Sequence, residues 1–313
     1  VRLVFRGSPP FAVPVFARVL ASRHQVLALV TRPDKPSGRG LKIETSPLAA
    51  LALKQGVPIL QPPTTRDPAF ATTLRALAPD VLLVASFGEI LGRDLLELAP
   101  RGALNVHASL LPRHRGASPI QAAILAGDRE TGVSVQRMVL ALDEGDVLLE
   151  ERTTIGEREN AGELLERLAV LGGEAVVRAL DLLESGNACF TPQDPTRSSY
   201  ARRTRKEQGR IDWAKSAAEI VRHVRAMTPW PGARAVAPNG KEIVLLDVKA
   251  VEASEANPRP DPGTIFEAER RLLVATGEGS LEVLAVKPSG GVRMEAPAWL
   301  RGARLVPNAR FTS

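Results

Sequence analysis

Short apolar runs alternate with amphipathic stretches through the first part of the chain. The continuous apolar runs predict strands buried on both faces, and the stretches with a period near 3.6 predict helices. These alternate in the order strand 3–5, helix 11–21, strand 26–31, helix 47–55, the short apolar run PILQ at 58–61, helix 67–77 and strand 81–86. Such an order is typical of a doubly wound α/β domain with a mostly parallel sheet.

The pattern continues to about residue 183. Three further strands and two further helices are predicted, with strands at 103–109, 133–139 and 147–155 and helices at 119–125 and 161–183. The last helix is long enough to close the domain. Because 313 residues exceed a typical single core, a second domain is expected after it.

A polar, basic segment with two prolines follows the long helix and has no usable periodicity, as expected for a linker. We therefore predict a catalytic domain at 1–187, a basic linker at 188–207 and a second domain at 208–313. After a helix at 217–226, the second domain has short strand-like runs separated by Gly, Pro and Asn turns. This spacing favours a small antiparallel β-barrel, similar to an OB fold.

The distribution of charge separates the two halves. Residues 1–194 contain 21 Lys and Arg against 22 Asp and Glu, so the whole net charge of +6 arises beyond residue 194. A polyanionic partner held by the second half would explain this asymmetry, although a generally basic proteome or solubility explains it equally well. No apolar run approaches the roughly 18 residues of a membrane helix, so we expect a cytoplasmic protein.

Metal and redox chemistry are not expected from the composition. Cys189 is the only cysteine and there are four histidines, scattered along the chain. A disulfide is excluded within the chain, and a catalytic zinc site lacks its usual ligands. His24, His114 and His223 have no partners in sequence and are interpreted as structural or surface residues, and Trp213 and Trp230 as core residues of the second domain.

Two polar side chains lie on the predicted strand 103–109. Alternation places Asn105 and His107 on the same side, about 7 Å apart along the backbone. A neighbouring βα-type loop carries Asp143, with Glu144 and Asp146 as reserves. Taken alone, each residue is as well explained by an accident of sequence or by turn formation.

Three motifs together resemble the 10-formyltetrahydrofolate-dependent formyltransferases. They read NVHASLLP at 105–112, RGA at 115–117 and LDEGD at 142–146. The resemblance implies that Asn105, His107 and Asp143 are catalytic, and that 10-formyltetrahydrofolate is the co-substrate. An Asn amide can hold the formyl oxygen, a histidine can bind the oxyanion or carry the proton, and a carboxylate can orient the imidazole.

The same resemblance implies the residues that bind the folate donor. The turn after the strand would lie against the donor, and the loop 86–91 would surround the pterin ring. The implied donor-binding residues are Ser109, Leu110, Leu111, Pro112, Phe87, Gly88 and Ile90. Phe87 stands where family members more often have tyrosine, so a contact from that hydroxyl is not expected.

Segments outside these motifs indicate which molecule accepts the formyl group. Residues 31–40, 200–213 and 225–232 resemble the family members that formylate initiator methionyl-tRNA, and 32–46 reads as a cationic loop longer than a βα turn needs. We expect a monomer that contacts tRNA through Arg39, Lys42, Arg205 and Lys206. An amino-sugar formyltransferase and an inactive tRNA-binding protein on this scaffold are the alternatives.

Overall fold

The computed structural model describes residues 1–34, 36–37, 42–65, 67–89, 91–251, 260–268, 270–303, 305 and 309–312. The chain divides into two compact units. Unit 1 comprises Val1–Pro119, Arg129–Thr154 and Leu164–Arg202, and unit 2 comprises Ile120–Asp128, Ile155–Glu163 and Arg203–Ser313. In the described ranges, no helix combines the length and the apolar character needed to cross a membrane.

The first half of the chain contains alternating strands and helices. In chain order these are β1 (Arg2–Gly7), α1 (Ala12–Leu20), β2 (Gln25–Val30), β3 (Pro36–Ser37), β4 (Lys42–Ile43), α2 (Pro47–Lys54), β5 (Ile59–Leu60), α3 (Pro68–Ala76), β6 (Val81–Ala85), α4 (Arg93–Leu96), β7 (Ala103–His107), β8 (Arg115–Gly116), α5 (Pro119–Ala126), β9 (Glu130–Arg137), β10 (Val147–Thr154) and α6 (Ala161–Ser185). Side-chain oxygens of Ser46 and Asp67 cap the first turns of α2 and α3.

Seven of these strands form one sheet in the order β10-β9-β7-β6-β1-β2-β5. All pairings from β7 to β5 are parallel, whereas β9 runs antiparallel to both β7 and β10. Val4, Leu82 and Leu74 are fully buried in the apolar cluster on one face. The predicted mostly parallel doubly wound sheet is confirmed.

The connection that carries Asp143 differs from the expectation. It joins two antiparallel strands, β9 and β10, and is not a βα loop. Since β9 runs against β7, it ends beside the start of β7, where the Met138 amide donates to the Ala103 carbonyl at 2.8 Å. Asp143 therefore reaches the far end of β7 only because residues 138–146 fold back along the sheet.

The segment after α6 is held on unit 1 as far as Arg202. Thr191 pairs with Val147 of β10, and β11 (Tyr200–Ala201) pairs in parallel with β8. Two short 3₁₀ helices, Pro195–Arg197 and Lys206–Gly209, flank β11. The boundaries 1–187, 188–207 and 208–313 stay predictions.

Unit 2 contains a six-stranded antiparallel sheet. Its elements are α7 (Ala217–Met227), β12 (Ala233–Val236), β13 (Glu242–Val251), β14 (Ile265–Glu267), β15 (Leu272–Ala275), β16 (Ser280–Pro288), β17 (Met294–Glu295) and α8 (Ala296–Ala303). Strands β12-β13-β16-β15-β14 follow one another, and β17 pairs with β16. The predicted small antiparallel domain is confirmed.

The two tryptophans of this unit behave differently. Trp213 is buried and stacks on Phe311, with ring centroids 5.5 Å apart. The prediction that Trp230 packs in the core is wrong, because its side chain is 56 % exposed. Trp230 stands between Pro229 and Pro231 in the turn that joins α7 to β12, so it belongs to no strand with a buried face.

The carboxylate of Glu282 on β16 binds two cationic side chains. Arg271 donates to both oxygens of Glu282, at 2.9 and 2.5 Å, and Lys249 lies 2.9 Å from the same group. These hydrogen bonds, the Arg271 pair foremost, lower the pKa of Glu282 to about 2. Since the pKa is depressed on folding, the resulting stability is present above about pH 4.5 and is lost as the pH falls toward 2.

We predict that Glu282→Gln lowers the free energy of unfolding by about 1–3 kcal/mol at pH 7, because both cations lose their charged acceptor. The difference from wild type should shrink at pH 3. Urea titrations at the two pH values measure it, with Glu295→Gln, which removes an exposed pair with Arg293, as the control. A difference that stays constant between pH 7 and pH 3 would contradict the assignment.

Candidate active site

The two polar residues of β7 lie at the carboxyl end of the parallel strands. Asn105 pairs with Val84 on β6 and with Gln136 on β9, and His107 pairs with Ser134. Asn105 is half-buried and His107 is buried. This end of an α/β sheet is where ligands ordinarily bind.

The side-chain amide of Asn105 takes part in no hydrogen bond within the part of the chain that the structure describes. A half-buried amide beside a cleft can therefore give its N–H donors and its carbonyl acceptor to a bound molecule.

His107 is held from one side by the backbone. Its Nε2 lies 2.9 Å from the carbonyl oxygen of His114, and since a carbonyl only accepts, Nε2 carries the proton of this hydrogen bond. Its Nδ1 lies 3.7 Å from Oδ2 of Asp143. That distance is longer than a direct hydrogen bond, so Nδ1 faces the carboxylate and stays open to a reactant.

Asp143 is held by two donors. The backbone N–H of Gly116 donates to Oδ2 at 2.8 Å, and Nε2 of Gln136 donates to Oδ1 at 2.9 Å. Its backbone φ of 55° turns the loop sharply at this residue. Gly145 allows the return, since a Cβ there would collide with the Arg137 carbonyl.

Gln193 fastens the loop and was not predicted from the sequence. Its Nε2 donates to the carbonyl oxygens of Asp143 and Gly145 at 2.9 and 2.7 Å, and Arg115 donates twice to its Oε1. Gln193 lies in the segment interpreted as a linker, where no periodicity or motif marked it. Gln136 was also missed, although its place opposite Asn105 on the next strand follows once β9 is known to pair with β7.

The reserve carboxylates do not take the place of Asp143. Glu144 accepts from the Tyr200 hydroxyl at 2.7 Å and pairs with Arg115 at 3.1 Å. Asp146 contributes its backbone carbonyl, which accepts from the Arg137 amide at 2.9 Å. Of the three candidates, Asp143 is the one that the fold brings to His107.

Residues 109–112, two positions beyond the end of β7, form a tight turn. Ser109 is fully buried and its hydroxyl donates to the Arg113 carbonyl at 2.6 Å. Ser134 accepts from the Leu111 amide at 3.0 Å and donates to the Ser109 carbonyl at 2.8 Å. Leu110 is half-buried and Pro112 is buried. The turn is thus fixed directly beyond His107.

The loop after β6 is held by side chains from two other segments. Phe87 is buried, and its carbonyl oxygen accepts from Arg32 at 2.9 Å. Thr65 donates to Glu89 at 2.6 Å. Gly88 is exposed, with a φ of 76°. Ile90 lies outside the described residues.

The predicted tRNA-binding residues are partly described. Arg39 and the side chain of Lys42 lie outside the described ranges. Arg205 and Lys206 are exposed at the start of the second 3₁₀ helix, where Gln208 accepts from the Arg205 amide at 2.7 Å. Among the described residues, the one group with metal-ligand spacing is His24, Asp181 and Glu184, and it shares no member with the cluster around His107.

Both units match family models. Residues 1–180 match the model described as formyl transferase, and residues 203–304 match the model for the formyl transferase C-terminal domain. Curated relatives match over nearly the whole chain. One is the methionyl-tRNA formyltransferase of Methylobacterium sp. (strain 4-46), 43 % identical over 99 % of both chains.

A second relative is the methionyl-tRNA formyltransferase of Anaeromyxobacter dehalogenans (strain 2CP-1), 47 % identical over 89 % of both chains. Among solved structures, the Helicobacter canadensis N-formyltransferase, in complex with folinic acid and dTDP-3-aminofucose, aligns with a TM-score of 0.66. It is 17 % identical and covers 90 % of this chain and 98 % of its own. At that identity the likeness concerns the fold.

We predict that Gln193→Ala loosens residues 138–146 and lowers the free energy of unfolding by about 1–3 kcal/mol, because two loop carbonyls lose their donor. Hydrogen–deuterium exchange should become faster at the loop amides and stay unchanged in α1. Gln61→Ala, which removes one exposed hydrogen bond to the Arg32 carbonyl, is the control. If the loop amides of Gln193→Ala exchange at the wild-type rate, Gln193 does not hold the loop.

Proposed function

Because the chain belongs to the formyl transferase family, we propose that it transfers the formyl group of 10-formyltetrahydrofolate to the α-amino group of methionyl-tRNA. The observation that carries the chemistry is the approach of His107 and Asp143 beside the unpartnered amide of Asn105. The acceptor is supported by full-length similarity to relatives with that activity in their names.

The reaction begins with attack of the amine nitrogen on the formyl carbon. A C–N bond forms to the acceptor, and the carbonyl oxygen gains negative charge in a tetrahedral intermediate. The Asn105 amide donates to this oxygen, a role that needs a fixed donor without a charge of its own. Its position on a strand, rather than on a loop, keeps the donor in place.

His107 and Asp143 transfer the proton that the attacking amine loses. His107 is fixed through Nε2 by the His114 carbonyl, so Nδ1 is the nitrogen that faces the reacting atoms and Asp143. A protonated Nδ1 donates to the oxyanion while Asp143 balances the imidazolium charge. The proton lost by the attacking amine passes through this pair to N10 of the donor as the C–N10 bond breaks, which leaves tetrahydrofolate and the formylated amine.

The donor occupies the space between the two loops described above. Ser109, Leu110, Leu111 and Pro112 form its wall next to His107. Phe87, Gly88 and Ile90 lie on the loop that surrounds the pterin ring. The fixed turn and the loop held by Arg32 and Thr65 support this assignment, because a pre-formed pocket loses little entropy on binding.

The acceptor is held by basic residues outside this pocket. Arg39 and Lys42 contact the acceptor end of the tRNA, and Arg205 and Lys206 contact its phosphates. The exposure of Arg205 and Lys206 supports their share of this role. The protein acts as a monomer in the cytoplasm, where charged initiator tRNA is available.

We predict that Asn105→Ala and His107→Ala each lower kcat by on the order of 10² to 10⁴, because each removes a group that stabilises the transition state. Affinity for tetrahydrofolate and for tRNA should change little. Single-turnover formylation of charged tRNA measures the loss, with Asn239→Ala, in an exposed turn, as the control. Near-normal rates in both variants would remove these residues from the mechanism.

Arg39→Ala tests the acceptor assignment. We predict a higher KM for methionyl-tRNA, an unchanged Kd for tetrahydrofolate and a salt dependence of tRNA binding reduced by about 0.7–0.9 log units per log unit of salt, the share of one phosphate contact. Arg93→Ala, an exposed arginine paired with Glu97, is the control. Equal losses of folate and tRNA binding would contradict a role specific to tRNA.

A further inference from the structure

Two backbone groups hold the imidazole and the carboxylate of the site, and both belong to one short segment, residues 114–116. The carbonyl oxygen of His114 accepts a hydrogen bond from Nε2 of His107 at 2.9 Å. The amide of Gly116 donates to Oδ2 of Asp143 at 2.8 Å. A shift of this segment would move both groups at once. The 3.7 Å approach of His107 to Asp143 therefore depends on where the segment lies.

Strand β11 and the residue before it hold this segment along one side. The strand pairs with β8, and the amide of Arg115 donates to the Ser199 carbonyl at 2.8 Å. The two backbones pass so closely that a Cβ at Gly116 would lie 2.7 Å from the Ala201 carbonyl oxygen. Gly116 also has a φ of 107°, which residues with a side chain rarely adopt. The close approach thus needs a glycine at this position.

Ser199 contacts the segment through its side chain as well. Its Oγ accepts from the His114 amide at 2.9 Å. Its own amide donates to the Pro112 carbonyl at 3.3 Å, and its carbonyl accepts from Arg115. A single half-buried serine is therefore hydrogen-bonded to the backbone before, at and after His114.

The planarity of the peptide bond transmits these contacts to His107. The His114 carbonyl and the Arg115 amide belong to the same peptide plane, so the direction of one fixes the direction of the other. Ser199 binds the amide side of this plane, and His107 donates to its carbonyl side. The Ser199 hydroxyl binds the preceding plane through the His114 amide. Both planes that meet at the His114 Cα are thus held by Ser199.

This double contact stabilises an uncommon backbone conformation. His114 has a φ of 55°, in the left-handed region that is unfavourable for a residue with a side chain. If one of the two contacts is removed, we expect the backbone to relax toward a more common conformation. The carbonyl of His114 would then turn away from Nε2 of His107.

We propose that Ser199 is a positioning residue for formyl transfer, because its hydroxyl fixes the His114 peptide that orients the imidazole of His107. The inference rests on the proposed function. A fixed carbonyl keeps the proton of the neutral ring on Nε2, so Nδ1 has a free lone pair for the proton of the attacking amine. If the carbonyl turns away, the ring proton moves to Nδ1, where Asp143 accepts it. Nδ1 can then take no further proton.

Ser199→Ala tests the proposal, with Ser198→Ala as the matched control. Ser198 is also half-buried, and its hydroxyl donates to the Pro195 carbonyl at 2.8 Å. Each variant loses one hydrogen bond between a side chain and the backbone, so the Tm should fall by a similar amount in both.

The rate of formylation should distinguish the two variants. In a single turnover we predict a rate about 10-fold lower in Ser199→Ala and within about twofold of wild type in Ser198→Ala, since a 1 Å misplacement of a reacting group costs ~10²-fold and a partial one costs less. The Kd for tetrahydrofolate and the Kd for tRNA should not change in either variant.

A spectroscopic measurement separates positioning from a general loss of stability. Heteronuclear NMR of the imidazole nitrogens, assigned by the signals missing in His107→Ala, shows which nitrogen carries the proton of the neutral ring. We predict Nε2–H in wild type and in Ser198→Ala, and a larger share of Nδ1–H in Ser199→Ala. Ser199→Thr keeps the hydroxyl and should restore both the rate and the spectrum.

A wild-type rate in Ser199→Ala, an unchanged imidazole spectrum, or an equal loss of rate in Ser198→Ala would overturn the proposal. If Ser199→Ala fails to fold, Ser199→Cys takes its place, because a thiol is a weak acceptor and should give a smaller shift toward Nδ1–H. Failure of wild type to formylate methionyl-tRNA would instead contradict the proposed function. In that case the spectrum, which needs no turnover, still decides whether Ser199 orients His107.

Discussion

The approach of one carboxylate to one imidazole depends on almost every local feature of the site. Asp143 lies in the loop that follows β9, which begins beside the start of β7 and folds back to reach His107 at the end of β7. Two donors, the Gly116 amide and Gln136, hold its oxygens, and Gln193 ties down the backbone on either side of Glu144. These hydrogen bonds hold the carboxylate 3.7 Å from Nδ1 of His107.

Local patterns were enough to predict the fold and part of the site. The helices α1, α2 and α3 and the strands β6 and β7 follow from periodicity, and strand alternation put Asn105 and His107 on one face. The direction of β9 was not predicted, because burial on both faces is typical of a parallel strand, and β9 is buried on both faces although it runs antiparallel to β7. Gln193 and the His114 carbonyl act through tertiary hydrogen bonds that leave no periodic trace. The prediction that Trp230 is a core residue is wrong because Pro229 and Pro231 place it in a turn.

In the proposed function, the chemistry and the choice of acceptor reside in different parts of the chain. Asn105, His107 and Asp143 lie within unit 1, and the same fold occurs in an N-formyltransferase bound to a nucleotide sugar at 17 % identity. Residues 203–304 of unit 2 match the model for the formyl transferase C-terminal domain. This unit bears the exposed Arg205 and Lys206.

The delivery of a formyl group to an amine carried on tRNA can be tested by product analysis. The purified protein is supplied with 10-formyltetrahydrofolate and, in parallel, with charged initiator methionyl-tRNA or a nucleotide-linked amino sugar, and the product is identified by mass spectrometry. We predict formylmethionyl-tRNA and stoichiometric tetrahydrofolate, with no formylated sugar. If the sugar amine is formylated and the charged methionyl-tRNA is not, the proposed acceptor is wrong.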